Sequence, residues 1–133
     1  MDFNHNIPIY CQIIQQIKQD TVLGRLKPGQ KMPSVREMAG KLKVNPNTVQ
    51  RAYLELEREN IVFTKRGMGT YLTKQEDIIH SLKKELSGKV IRDFLEGMNQ
   101  LEYSNDHIMR VLREHLEEGR KINGTYFKKQ PIK

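Results

Sequence analysis

From Pro8 to about Leu23 the apolar positions Tyr10, Ile13, Ile14 and Ile17 recur every three or four residues, which places them on one face of a helix. Pro8 stands where a first-turn proline is tolerated, and Gly24 ends the pattern. Pro28-Gly29 predicts a turn. Met32-Pro33 predicts an extended approach to the next element, because a residue preceding proline is pushed out of helical backbone. Ser34 followed by Glu37 is a capping box: the serine accepts from the third helical amide and the glutamate reaches back to the cap's own amide. Val35, Met38, Ala39 and Leu42 then give a second helix one apolar stripe, with Arg36 and Lys43 off it. Asn45 and Pro46 combine a good cap with a pre-set first-turn dihedral and predict a third helix running to about Glu59. Its Val49, Ala52, Tyr53 and Leu56 face inward, which leaves Asn47, Thr48, Gln50 and Arg51 on the accessible N-terminal face.

The period then shortens. Ile61, Val62 and Phe63 read as a strand, Lys65-Arg66-Gly67-Met68-Gly69 as a hairpin tip and Tyr71-Leu72 as the returning strand. Gly67 and Gly69 admit positive backbone dihedrals and close approach to a partner, and Arg66 beside them is placed to enter a minor groove. From about Gln75 helical spacing returns in Ile79, Leu82, Leu86, Val90, Phe94, Met98 and Leu101, interrupted by Gly88 and Gly97 at roughly 0.5 to 1 kcal/mol each. Tyr103-Ser104-Asn105-Asp106 breaks and caps. Ile108, Val111, Leu112 and Leu116 begin a last helix, expected to end near Gly119. The tail from Gly124 to Lys133 reads as a frayed end or an arm and is assigned no role.

These elements predict a mostly α fold with a small β-hairpin wing. A winged helix-turn-helix occupies residues 1–74 and a two-helix appendage residues 75–133. Two helices joined by a short turn, the second presenting short polar side chains and an arginine at its N-terminus, match the arrangement that sets a recognition helix into the major groove. Asn47, Gln50 and Arg51 suit base edges, whereas Thr48, Arg36 and Lys43 suit phosphates. The apolar stripe of the appendage is longer than so little chain can cover. A second copy of the protein is the expected cover, over Leu82, Leu86, Val90, Phe94, Met98, Ile108 and Leu112.

Charge agrees with this division. The net charge is +7, of which residues 1–74 carry +6 and residues 75–133 only +1, so the basicity belongs to the half expected to track phosphates. A chain of 133 residues leaves little room for a buried-pocket enzyme domain. No nucleophile with its base, phosphate loop or metal-ligand set is visible, so neither catalysis nor a cofactor is expected. The four histidines fall at no metal spacing, and Cys11 alone permits no intramolecular disulfide. No apolar run approaches the ~18 residues of a membrane span, and the N-terminus lacks a leader pattern, so a cytoplasmic protein is expected.

The same residues resemble the GntR family of bacterial transcription regulators, and the short helical tail looks like its YtrA subgroup. The resemblance rests on Pro8-Ile9-Tyr10-Cys11-Gln12-Ile13, on Pro28-Gly29 through Arg36-Glu37-Met38-Ala39, and on Asn45-Pro46-Asn47-Thr48-Val49 through Arg51-Ala52-Tyr53. Gly67-Met68-Gly69-Thr70-Tyr71 resembles the wing tip, and Leu101-Glu102-Tyr103-Ser104 the opening of the last helix. The resemblance implies DNA contacts from Arg36, from Asn47 and Thr48 with their neighbours, and from the wing around Gly67 and Gly69. It also implies control of a neighbouring operon, often one for an ABC transporter. Two positions depart from it: Gln50 stands where many members have arginine, with Arg51 next along, and Glu102 stands where glycine is expected. The sequence therefore predicts a homodimeric regulator, most simply a repressor, of a two-fold-related double-stranded operator. The competing expectation is a winged-helix module that binds protein, for which Arg51→Ala leaves function intact.

Overall fold

The computed structural model describes residues 2–123, with side chains as far as Arg120; the tail from Gly124, read above as a frayed end or arm, lies outside them. The elements follow in the order α1 (Ile9–Val22), α2 (Val35–Leu42), α3 (Pro46–Arg58), β1 (Val62–Lys65), β2 (Gly69–Leu72), α4 (Glu76–Gln100) and α5 (Asn105–Asn123). They form two compact units, one through Gly88 and one from Lys89. No helix among the described residues is long and apolar enough to cross a membrane.

Local chemistry sets the helix starts. Ser34 Oγ accepts from the Glu37 amide at 3.0 Å while Glu37 Oε1 accepts from the Ser34 amide at 2.9 Å, so two otherwise orphaned donors at the head of α2 are satisfied reciprocally. Asn45 Oδ1 accepts from the Asn47 amide at 2.7 Å, and Pro46 is the first residue of α3. Pro8 is the cap residue of α1 rather than part of its first turn. Gln12 then ties the preceding segment down: its Oε1 accepts from the Asn4 amide and its Nε2 donates to the carbonyls of Asn4 and Ile7.

The core of the first unit joins Ile13 and Ile17 of α1, Ala39 of α2, Val49, Ala52, Tyr53 and Leu56 of α3, and Ile61, Val62 and Leu72 at the base of the hairpin. Burying a side chain of this size contributes roughly 1.5 to 3 kcal/mol, so this cluster is what holds the three helices against the hairpin. The hairpin is antiparallel, from Val62 opposite Leu72 to Lys65 opposite Gly69. Its strands thus reach nearer the tip than the apolar residues alone predicted, because Lys65 and Gly69 pair through their backbones. The segment before α2 extends the sheet: the Met32 amide donates to the Thr70 carbonyl at 2.7 Å and the Leu72 amide to the Gln30 carbonyl at 2.8 Å. Met32 is buried there.

The first half of α4 belongs to this unit and packs Ile78, Leu82 and Leu86 against the core. The second unit contains the rest of α4 and α5. Before α5 the chain passes through Glu102 at φ +66°, while the Tyr103 amide donates to the Met98 carbonyl at 3.1 Å. This left-handed closure is one that glycine adopts without strain, which accounts for the expectation of glycine at that position. Ser104 Oγ then accepts from the His107 amide at 3.2 Å and caps α5. The helix does not end near Gly119 but continues to Asn123. A glycine inside a helix costs only about 1 kcal/mol and does not by itself terminate it.

Candidate nucleic-acid interface

The inward face of α3 is wholly engaged in the core, so its outward face is the surface left for a partner. Asn47, Gln50 and Arg51 are exposed on it, and Thr48 is half-buried beside them. Asn45 and Pro46 are exposed too. The Asn45 carbonyl oxygen is already engaged in the cap, which leaves its side-chain NH₂ as the donor available to a ligand. One turn further along, Leu54 is half exposed on the same side, an apolar neighbour of the polar residues of the first turn.

Arg51 does not extend unsupported. Its guanidinium carbon lies 3.9 Å from the centroid of the Tyr10 ring, at the head of α1. Three cations of the first unit are ion-paired, and its remaining cations make no ion pair among the described residues. Arg25 pairs with Asp20 at 3.3 Å, Arg58 with Glu55 at 2.7 Å, and Lys18 with Glu59 at 3.0 Å and Glu85 at 3.1 Å. Arg36, Lys43, Arg51 and Arg66 are exposed and make no ion pair among the described residues. Uncompensated cations attract phosphate without first having to leave a carboxylate. Lys43 closes α2 at φ +58°, so its side chain leaves the chain at the turn between the two helices.

At the wing tip Gly67 has φ +76° and Gly69 φ +118°. The latter value is essentially restricted to glycine, and a Cβ there would lie 2.9 Å from Lys31 Cε. Phe63 and Tyr71, opposite each other in the hairpin, stack at 5.8 Å, and Lys65 Nζ sits 4.7 Å above the Tyr71 ring. Lys65, at the start of the tip, is thus joined there by Lys31, which sequence alone does not bring to the wing. The placement of Lys31 follows from its bridge to Tyr71, a contact across 40 residues of chain.

Tyr53, which the helical phase assigned to the core, is buried, and its hydroxyl donates to the Pro33 carbonyl at 2.7 Å. Burial pushes its phenol up to about 12. Glu37 is held below the usual carboxylate range, chiefly by the hydrogen bond from the Ser34 amide.

The residues expected at a dimer surface do not share one environment. Leu82 is only 3% exposed, inside the core of the first unit, and Leu86 packs half-buried against that core. Ile108 is buried within one chain as well. Val90, at 68% exposed, remains open, as do Phe94 and Leu112, while Met98 is half-buried. Ile91 and Leu95 of α4, Leu101 just after it, and Met109 and Leu116 of α5 add to the exposed apolar surface.

The model of the gntR family of bacterial regulatory proteins matches residues 9–72, which span α1 through β2. The chain is 42% identical to the HTH-type transcriptional regulator YhcF of Bacillus subtilis over 88% of this chain and 97% of that protein. It is 41% identical to the HTH-type transcriptional repressor YtrA of Bacillus subtilis over 84% of this chain and 89% of the relative. A solved GntR family transcriptional regulator from Listeria monocytogenes superposes with a TM-score of 0.78 at 38% identity, covering 84% of this chain and 98% of that one.

Proposed function

This chain belongs to the gntR family of bacterial regulatory proteins, DNA-binding transcription regulators of the helix-turn-helix type, and from that premise we propose that it is a homodimeric repressor of a neighbouring operon. The observation that carries the reading is the exposed first turn of α3, capped by Asn45, opened by Pro46 and accompanied by Arg36, Lys43, Arg51 and Arg66, none of them in an ion pair among the described residues.

In this reading α3 enters the major groove. Asn47, Gln50 and Arg51 face base edges, where each good two-bond contact discriminates by ~1 to 3 kcal/mol. Thr48, Arg36 and Lys43 hold phosphates and fix the register, and Arg66 with the Gly67 and Gly69 backbone follows the adjacent minor groove. Dimerisation uses Val90, Phe94, Met98 and Leu112 with the other exposed apolar residues of the second unit. Leu82, Leu86 and Ile108 support the fold of each copy. The site of action is the cytoplasm, where operator DNA is found.

The test is binding of the purified protein to its own upstream intergenic duplex and to a scrambled duplex across a salt series. A preference for the upstream DNA that persists at physiological salt, with two protected half-sites ~34 to 36 Å apart, supports the reading. Equal, salt-sensitive binding to both contradicts it for that duplex. Phe94→Asp with Leu112→Asp is expected to give a monomer by sedimentation and to weaken binding to the same duplex. An intact dimer would remove these residues from the interface.

A further inference from the structure

We infer that Tyr10 is a positioning residue for Arg51, holding the guanidinium over its ring so that the arginine's N–H fork is presented intact to an acceptor. The inference rests on the reading of α3 as the base-contacting helix, and it adds to that reading a residue on a different helix that sets which base Arg51 reads.

The geometry separates this arrangement from the alternatives open to Arg51. Glu55 lies one turn further along α3, within the usual reach of an i, i+4 ion pair, yet it bonds Arg58 at 2.7 Å. Arginine preceding glutamate is also the less favourable order for such a pair. Arg51 instead stacks its guanidinium carbon 3.9 Å from the Tyr10 centroid, well inside the ~6 Å range of a cation–π contact. The two arrangements have different consequences. A carboxylate would occupy the N–H donors that a guanine O6/N7 edge or a phosphate needs. An aromatic face holds the cation through its π-system and leaves all five donors in the guanidinium plane unoccupied.

The platform is itself fixed. Tyr10 is half-buried and packs against the core of the first unit, and Gln12 anchors the segment leading into α1 through Asn4 and Ile7. The arginine therefore loses little conformational freedom on binding, and its direction is set before the duplex arrives.

The probe is a duplex selected by the wild-type protein from a randomised pool, together with every single-base variant of it. Arg51→Ala should relax preference at one base-pair step per half-site, by about five- to a hundredfold. Tyr10→Leu should relax the same step by about two- to fivefold. Tyr10→Phe, which keeps the ring, should retain the wild-type preference, and Tyr10→Leu combined with Arg51→Ala should lose no more than Arg51→Ala alone. Circular dichroism melts establish that each variant is folded, and Tyr10→Met, which also removes the ring, serves where Tyr10→Leu does not fold.

A loss spread evenly over all base variants in Tyr10→Leu overturns the inference, as does an unchanged preference in it. If Tyr10→Phe weakens binding as much as Arg51→Ala, the hydroxyl itself touches the duplex and the positioning role is wrong. If Arg51→Ala relaxes no step while the duplex is still bound specifically, Arg51 does not read a base and the inference falls with that assignment. Failure to select any duplex sinks the wider reading as well.

Discussion

Lys18 Nζ lies 3.1 Å from Glu85 Oε2, an ion pair that joins α1 to α4 across 67 residues of sequence. The same ammonium lies 3.0 Å from Glu59 at the end of α3, so one buried cation ties together three helices of the first unit. Burial pulls the lysine pKa down, and hydrogen bonds and charge from Glu59 and Glu85 outweigh it, leaving the group above its usual value of 10.5.

The partners are unequal, and this decides what each substitution does. The Lys18 side chain is 6% exposed, whereas Glu59 and Glu85 are 41% and 55% exposed. Lys18→Met leaves two carboxylates that water already reaches, and a loss of about 1 kcal/mol is expected. Glu59→Ala with Glu85→Ala strands the buried ammonium and is expected to cost about 3 kcal/mol. Urea unfolding of the two variants measures the difference, and equal losses would contradict this account. Because the folded lysine pKa is raised, its contribution is fully present below about pH 10.5 and is lost as pH rises through the folded value.

Tyr53→Phe removes the donor to the Pro33 carbonyl at the entrance to α2 and should destabilise by about 1 kcal/mol. The phenol also supplies a titration marker. Its folded value of about 12 exceeds the ordinary 10, so the stability it confers is complete below pH 10 and disappears as pH rises through about 12. An ultraviolet titration of the wild type should contain one late step near 12 that Tyr53→Phe lacks. Identical titrations of the two proteins would contradict the burial assigned to this hydroxyl.

The capping box offers a test on the acid side. Ser34→Ala should destabilise by about 1 kcal/mol, since the Glu37 amide loses its acceptor at the head of the helix that carries Arg36. Glu37 titrates below its usual 4.5, so its contribution is present above about pH 4.5 and is lost as pH falls through the lowered value. Melting curves of Glu37→Gln between pH 3 and 6 should therefore show a shallower acid loss than the wild type. An acid limb unchanged by the substitution would show that other carboxylates set it.

Glu102→Gly should stabilise the protein. The residue occupies the left-handed region at φ +66°, where a Cβ clashes with the following carbonyl, and this strain of about 1 kcal/mol exceeds the extra freedom glycine brings to the unfolded chain. A net gain of about 0.5 kcal/mol, read as a higher melting temperature, is expected. A fall would mean that the Glu102 side chain contributes more than its backbone costs.

Much of the first unit follows from residues a few positions apart. Ser34 with Glu37 starts α2, Asn45 with Pro46 starts α3, and Gly67 with Gly69 turns the hairpin, because a cap, a ring-fixed dihedral or a positive φ acts within a single turn of chain. The inward faces of α1 and α3 are legible for a related reason: helical spacing separates faces without reference to any partner.

Which apolar face meets the rest of the same chain, and which is left for another molecule, is not a local property. Leu82 and Val90 share one stripe of α4, yet the core of the first unit covers Leu82 and leaves Val90 open. Lys18 reads as an ordinary surface lysine until the end of α3 and the first half of α4 arrive beside it, and Arg51 reads as an unsupported side chain until Tyr10 is placed under it. The sequence alone determined the elements and the chemistry displayed on α3, because those depend on backbone preferences and periodicity. Tertiary structure decided burial, ion pairing and the direction of the outward side chains, because each of these depends on atoms brought together from distant parts of the chain.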